Sequence, residues 1–166
     1  IEPPITSFVE LVILSSANGG FDDLQLCRMM ETTEDPGESE QGGEGCTVSF
    51  WKNAGSSDAW NGSGVLPQTR IEELLGAVPV ELANPEQKLT PSELSIEQAL
   101  RLRGGKVNKL VREAAAAYLN AASPDVSFDL TAAELETIFG GALDGGDHRP
   151  ATKTLAGFNR QVCPFD

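Results

Sequence analysis

Apolar positions along this chain follow two different patterns. Within the first twenty residues, Ile5, Phe8, Val9, Leu11, Val12, Ile13 and Leu14 crowd together, and both alternating faces of an extended segment carry them. A strand that is apolar on both faces needs cover on both sides. The β-branched content, with Pro3-Pro4 before it and Gly19-Gly20 after it, favours a strand or extended arm. A helix is the runner-up, because Ser7 and Glu10 stand at capping-box spacing.

Beyond Cys46 the period becomes helical. Val107, Leu110, Val111, Ala114, Ala117, Tyr118 and Ala121 recur at steps of three and four, which predicts one apolar stripe on a helix over residues 106–122. Ser123-Pro124 stops it. Thr90-Pro91-Ser92-Glu93 and Thr131-Ala132-Ala133-Glu134 both have the capping-box pattern, the first with Pro at the first helical position. Leu135, Ile138, Phe139 and Leu143 continue the second of these helices, and Leu155, Phe158 and Val162 mark the inner face of a last one. Gly104-Gly105, Gly140-Gly141 and Gly145-Gly146 stand where chain reversals are expected.

Residues 31–45 contain no hydrophobic residue, while Glu31, Glu34, Asp35, Glu38, Glu40 and Glu44 make them strongly acidic. Such a stretch cannot bury apolar surface and reads as a connector. The predicted organisation is therefore an apolar arm over 1–30, a connector over 31–45 and a helical domain over 46–166. The fold class is mainly α: a small disulfide-clasped helical domain with an N-terminal apolar strand or extended arm.

Composition narrows the setting. The net charge is −13, which repels a phosphate backbone and argues against nucleic acid as a partner. The longest apolar run, Phe8 to Leu14, is interrupted by Glu10 and is far too short to span a bilayer. The chain opens at Ile1 without a basic n-region, as expected for the mature product of a secreted precursor. Cys46 and Cys163 bracket the helical region with no cysteine between them, which suggests a covalent clasp and an oxidising, extracellular address. Cys27 is the odd thiol, open to intermolecular bonding, to pairing with either of the others, or to burial among Leu24, Leu26, Met29 and Met30.

Three stretches carry a resemblance. They are Gly45-Cys46-Thr47 with Phe50-Trp51-Lys52-Asn53, then Tyr118-Leu119-Asn120-Ala121-Ala122-Ser123-Pro124, then Val162-Cys163-Pro164. Together they resemble an uncharacterised family of secreted prokaryotic surface proteins. Its members open with Gly-Cys-Thr-Pro-Gly-(Tyr/Phe)-Trp-Lys-Asn-His and close with Gly-Cys-Pro. The resemblance covers roughly residues 45–165. It implies a Cys46–Cys163 disulfide and a cell-surface or matrix context, and it implies no reaction. Val48-Ser49 replaces the family's Pro-Gly, and Ala54 stands in place of its His.

Candidate chemistry is sparse. Trp51 and Trp60 flank a polar turn and could stack on sugar rings as a carbohydrate platform, or anchor a small core beside a disulfide. Lys52 and Asn53 are expected to tie that loop to the backbone. His148 is the single histidine, and no Gly-x-Ser-x-Gly elbow accompanies it, so neither a triad nor a zinc site is built from it. Asp144 and Asp147, among glycines, are weak calcium candidates that lack the EF-hand spacing. Arg101, Arg103, Lys106, Lys109 and Arg112 form a basic stretch that is either a docking face or a solvated helix surface. Asn61-Gly62-Ser63 is a glycosylation sequon.

The expectation is a non-enzymatic extracellular structural protein, a self-assembling subunit of a surface filament, sheath or matrix, whose arm contacts a neighbouring copy. No resident cofactor is expected. A monomeric carbohydrate- or ligand-binding module is the alternative, and a secreted hydrolase is a distant third.

Overall fold

A computed structural model of the chain describes residues 42–54, 58–80, 82 and 89–165. These residues belong to the unit that begins at Gly37. The arm residues Ile5 to Leu14, and Cys27, lie outside them.

The described region is mainly helical, with no strand among the described residues. Seven α-helices run in order: α1 Val48–Asn53, α2 Asp58–Gly62, α3 Ile71–Leu75, α4 Ile96–Leu100, α5 Val107–Ala122, α6 Ala132–Gly145 and α7 Arg149–Phe158. Local chemistry sets most of their ends. The Thr47 hydroxyl accepts from the Phe50 amide and starts α1. The Thr131 hydroxyl accepts from the Glu134 amide, while the Glu134 carboxylate accepts from the Thr131 amide, closing the predicted capping box on α6. Gly146 ends α6 at φ 71°, a left-handed conformation that costs glycine nothing. Ser123, ahead of Pro124, ends α5 as expected.

The other predicted capping box does not form. Thr90 makes no side-chain cap, and Pro91–Glu93 is a single 3-10 turn. Leu94 is held extended because its carbonyl accepts from the Ile71 amide at 2.9 Å, next to an antiparallel bridge between Arg70 and Ser95. The helix restarts one residue later under a second box, in which Ser95 and Gln98 cap each other. Gly140-Gly141 is likewise not a reversal, since both residues lie inside α6.

Helix α5 is the centre of the domain and packs against α1, α4, α6 and α7. A one-sided stripe understates its burial. Ala114, Ala115, Ala116, Ala117 and Leu119 are all fully buried, together with Leu110 and Val111. Four consecutive alanines leave room for neighbouring helices on several sides, so α5 is enclosed rather than laid on a core. Tyr118 and Ala121, placed on the inner stripe by the sequence, are only half-buried. Leu135 and Phe139 of α6 and Leu155 of α7 are fully buried around it, as predicted. Val162 is not on an inner face: it is 73% exposed beyond the end of α7, pairing with Glu44 in an isolated parallel bridge.

That bridge moves the domain boundary. Glu44 donates its amide to Ser127 and Gly45 donates to Val162, so the last residues of the expected connector are built into the domain. Gly45 is buried, and a Cβ there would collide with the Phe158 carbonyl oxygen. Only glycine lets the incoming chain approach this closely.

Candidate functional site

Both ends of the domain meet beside α5. Cys46 and Cys163 are joined by a disulfide across 117 positions, with their Cα atoms 4.7 Å apart. Asn120, near the C-terminal end of α5, sits behind this clasp with all of its polar capacity engaged. Its Oδ1 accepts from the Cys46 amide at 2.9 Å and from Trp51 Nε1 at 2.8 Å. Its Nδ2 donates to the Cys46 carbonyl at 2.9 Å and to Asn159 Oδ1 at 3.0 Å. Asn159 in turn donates from Nδ2 to the Glu113 carbonyl and to Glu113 Oε2, at 2.9 and 3.1 Å. Asn120, Asn159 and Glu113 are all buried.

The network crosses from the clasp through α1 and α5 to the end of α7. A buried amide costs free energy unless its donors and acceptors are met, and here they are met by partners distant in sequence. Asn120 belongs to the second of the three resembling stretches, so this seam brings all three together. Asn159 and Glu113 were not singled out by sequence. Glu113 follows Arg112 on α5 and Asn159 lies just past α7 beside Arg160, so neither carried a sequence signal for its partner.

The tryptophans belong to this seam as core. Trp51 is fully buried and Trp60 is 2% exposed, packed edge to face at 6.3 Å between ring centroids. Trp51 spends its indole N–H on Asn120, and Trp60 donates to the Val65 carbonyl at 2.8 Å. Neither ring face is available to a sugar, so the Trp51/Trp60 carbohydrate platform is withdrawn. Lys52 and Asn53, expected to tie the loop down, are exposed instead.

An open groove of about 720 Å³ lies against the outer side of the clasp. Its apolar lining comes from Phe50, Ala54, Ala59, Cys163 and Phe165. Phe50 and Phe165 stack with centroids 5.4 Å apart and planes 6° from parallel, and both are half-buried. Exposed polar side chains, among them Ser49, Asn53 and Asp58, also line it. This groove was not foreseen, because Phe165 lies 115 positions from Phe50 and its segment is brought back by the disulfide and the Gly45–Val162 hydrogen bond.

The remaining candidates are dispersed. Asp147 accepts from the Arg149 amide and side chain at 3.2 Å, and these hydrogen bonds hold its carboxyl below the usual carboxylate range. Asp144 is exposed at the end of α6, and among the described residues no group of three His, Cys, Asp or Glu side chains is placed to hold a metal. The calcium suggestion for Asp144 and Asp147 therefore finds no assembled ligand set. His148 Nδ1 lies 3.0 Å from the Ala142 carbonyl, joining α6 to α7. Of the basic stretch, Arg101 pairs with Glu97 at 3.3 Å. Arg112 donates to the Leu102 and Gly104 carbonyls at 2.7 and 3.0 Å. Burial pushes the Arg112 guanidinium below its ordinary value, against the pull of Glu113. Arg112 thus holds the α4–α5 connection, while Arg101 pairs along α4 at the surface. Asn61 is exposed on α2, where a glycan would meet no obstruction from burial. No helix among the described residues is long and apolar enough to cross a membrane.

No protein-family model, curated protein or solved structure matches this chain.

Proposed function

We propose that this protein is an extracellular structural subunit that self-assembles into a surface filament, sheath or matrix through its N-terminal apolar arm. The observation that carries the reading is the seam itself. A disulfide, a fully satisfied Asn120–Asn159–Glu113 network and two buried tryptophans are all spent on locking the two ends of one domain together. Such a lock suits a module that must stay folded outside the cell and bear load between its ends. Convergence of the three resembling stretches on the seam also supports kinship with the secreted surface family.

The arm supplies the assembly contact. Ile5, Phe8, Val9, Leu11, Val12, Ile13 and Leu14 are too few to form a core of their own and too apolar to remain in water. Deleting residues 1–15 tests this. The expected product is a folded, soluble domain that no longer polymerises, read by size-exclusion chromatography and negative-stain microscopy. If the truncated protein unfolds while the intact chain runs as a stable monomer, the arm belongs to its own domain and the reading fails.

A further inference from the structure

We infer that the groove beside the clasp is the acceptor for the apolar arm of a second copy of this chain, an inference that rests on the assembly reading above. Three observations point the same way. The groove is the right chemistry: an apolar lining with two stacked, half-buried phenyl rings, bordered by exposed polar side chains that can meet the backbone of an extended segment. Stacked aromatic rings at a surface leave apolar area in water unless something covers them.

The chain also contains the matching piece. Forty-one residues precede Gly42, and the most apolar stretch among them is Ile5 to Leu14, with seven large apolar side chains in ten positions. An extended segment places alternate side chains on one side, so Leu11 and Ile13, with Val9 before them, would face the groove together. The space is sufficient for a few such side chains and insufficient for a folded partner.

The third observation concerns direction. The chain enters the domain at Glu44 and Gly45, pinned against Val162, and Gly45 itself lines the groove. The connector that leads there carries six acidic residues and no basic one, and acidic connectors self-repel and extend. An extended connector gives the arm the reach to meet the groove of another copy. One groove and one arm per copy make a head-to-tail contact, which propagates as an open polymer.

The test uses full-length chains. Ser49 is exposed, lines the groove and caps nothing, so Ser49→Arg fills the groove while leaving the clasp and the Asn120 network intact. Leu11→Asp with Ile13→Asp disables the arm and leaves the groove open. Each variant alone should raise the concentration needed for assembly by at least about tenfold, with an unchanged melting temperature for Ser49→Arg. Mixed one to one, they should give a discrete dimer and no polymer, because only one arm and one groove remain competent. Ser49→Ala should assemble as the unaltered chain does. If Ser49→Arg polymerises normally while the arm variant does not, the groove is not the acceptor and the assembly reading survives. Two well-folded monomers that fail to combine overturn the groove in the same way. An unaltered chain that stays monomeric, or an arm variant that polymerises, overturns both.

Discussion

Asn120→Ala should be among the most destabilising single changes in the domain. The substitution removes four hydrogen bonds of 2.8 to 3.0 Å and leaves the Cys46 amide, the Cys46 carbonyl, the Trp51 indole N–H and Asn159 Oδ1 without that partner. Cys46 and Trp51 are fully buried, so water cannot reach these groups without a rearrangement. An orphaned buried group costs about 1–3 kcal/mol. Four at the low end give about 4 kcal/mol, and relaxation or an admitted water trims the sum, so the expected loss is about 3–5 kcal/mol. Against a typical domain stability of about 5–15 kcal/mol, that is roughly a fifth of the total or more. Urea unfolding of the oxidised protein, followed by tryptophan fluorescence, measures it as a fall in midpoint at constant slope. Asn53→Ala is the control, since Asn53 is exposed on α1 and its loss should cost less than about 0.5 kcal/mol. An Asn120→Ala loss below about 1 kcal/mol would mean the network is decoration and the seam is held by the disulfide and apolar packing alone.

Three further outcomes follow from the same geometry. Replacing Cys46 and Cys163 together by Ser frees a loop spanning 117 positions, and the double variant should lose about 4–5 kcal/mol by chain entropy; non-reducing peptide mapping that finds either native cysteine free would refute the clasp outright. Gly45→Ala should cost about 1–3 kcal/mol, because its Cβ meets the Phe158 carbonyl oxygen and backbone must move; an unchanged melting temperature would show that the entering segment is not pinned there. Glu134 should titrate below an ordinary glutamate by NMR, because the Thr131 amide and hydroxyl both donate to its carboxylate. A folded-state pKa below the unfolded one contributes stability above the unfolded pKa and loses it as the pH falls through the folded value, so the N-terminus of α6 should fray on acidification. Thr131→Val keeps the backbone amide, the larger cause, and removes the hydroxyl, so it should move Glu134 only part of the way back toward the ordinary range; an unmoved titration would sink the hydroxyl's part in the cap.

Much of the helical layout was legible because it is local. The Thr131–Glu134 box and the Ser123-Pro124 stop are decided by atoms within a few residues of each other, and both form as the pattern predicts. The Thr90 box failed by the same logic carried too far. Its spacing is right, but the Leu94 carbonyl is claimed by Ile71, a partner 23 positions away, and the helix yields to that bond. Val162 failed similarly, since a helical period cannot reveal that α7 has already ended at Phe158.

The amino-acid sequence alone determined the mainly helical character, the cysteines that form the clasp and the position of the long helix, because propensity, capping and periodicity act between near neighbours. Only the tertiary structure decided which polar groups are partners and which aromatic faces are covered. Asn120 reaches Cys46 across 74 positions and Asn159 across 39, separations at which spacing carries no pairing information. Trp51 and Trp60 look alike whether they face a sugar or a core, and it is the packing of α1 against α4 and α5, with Trp60 edge to face on Trp51, that places both in the core. The groove has the same origin: Phe50 and Phe165 become one surface because a covalent bond between distant cysteines returns the chain's last residues to its first helix.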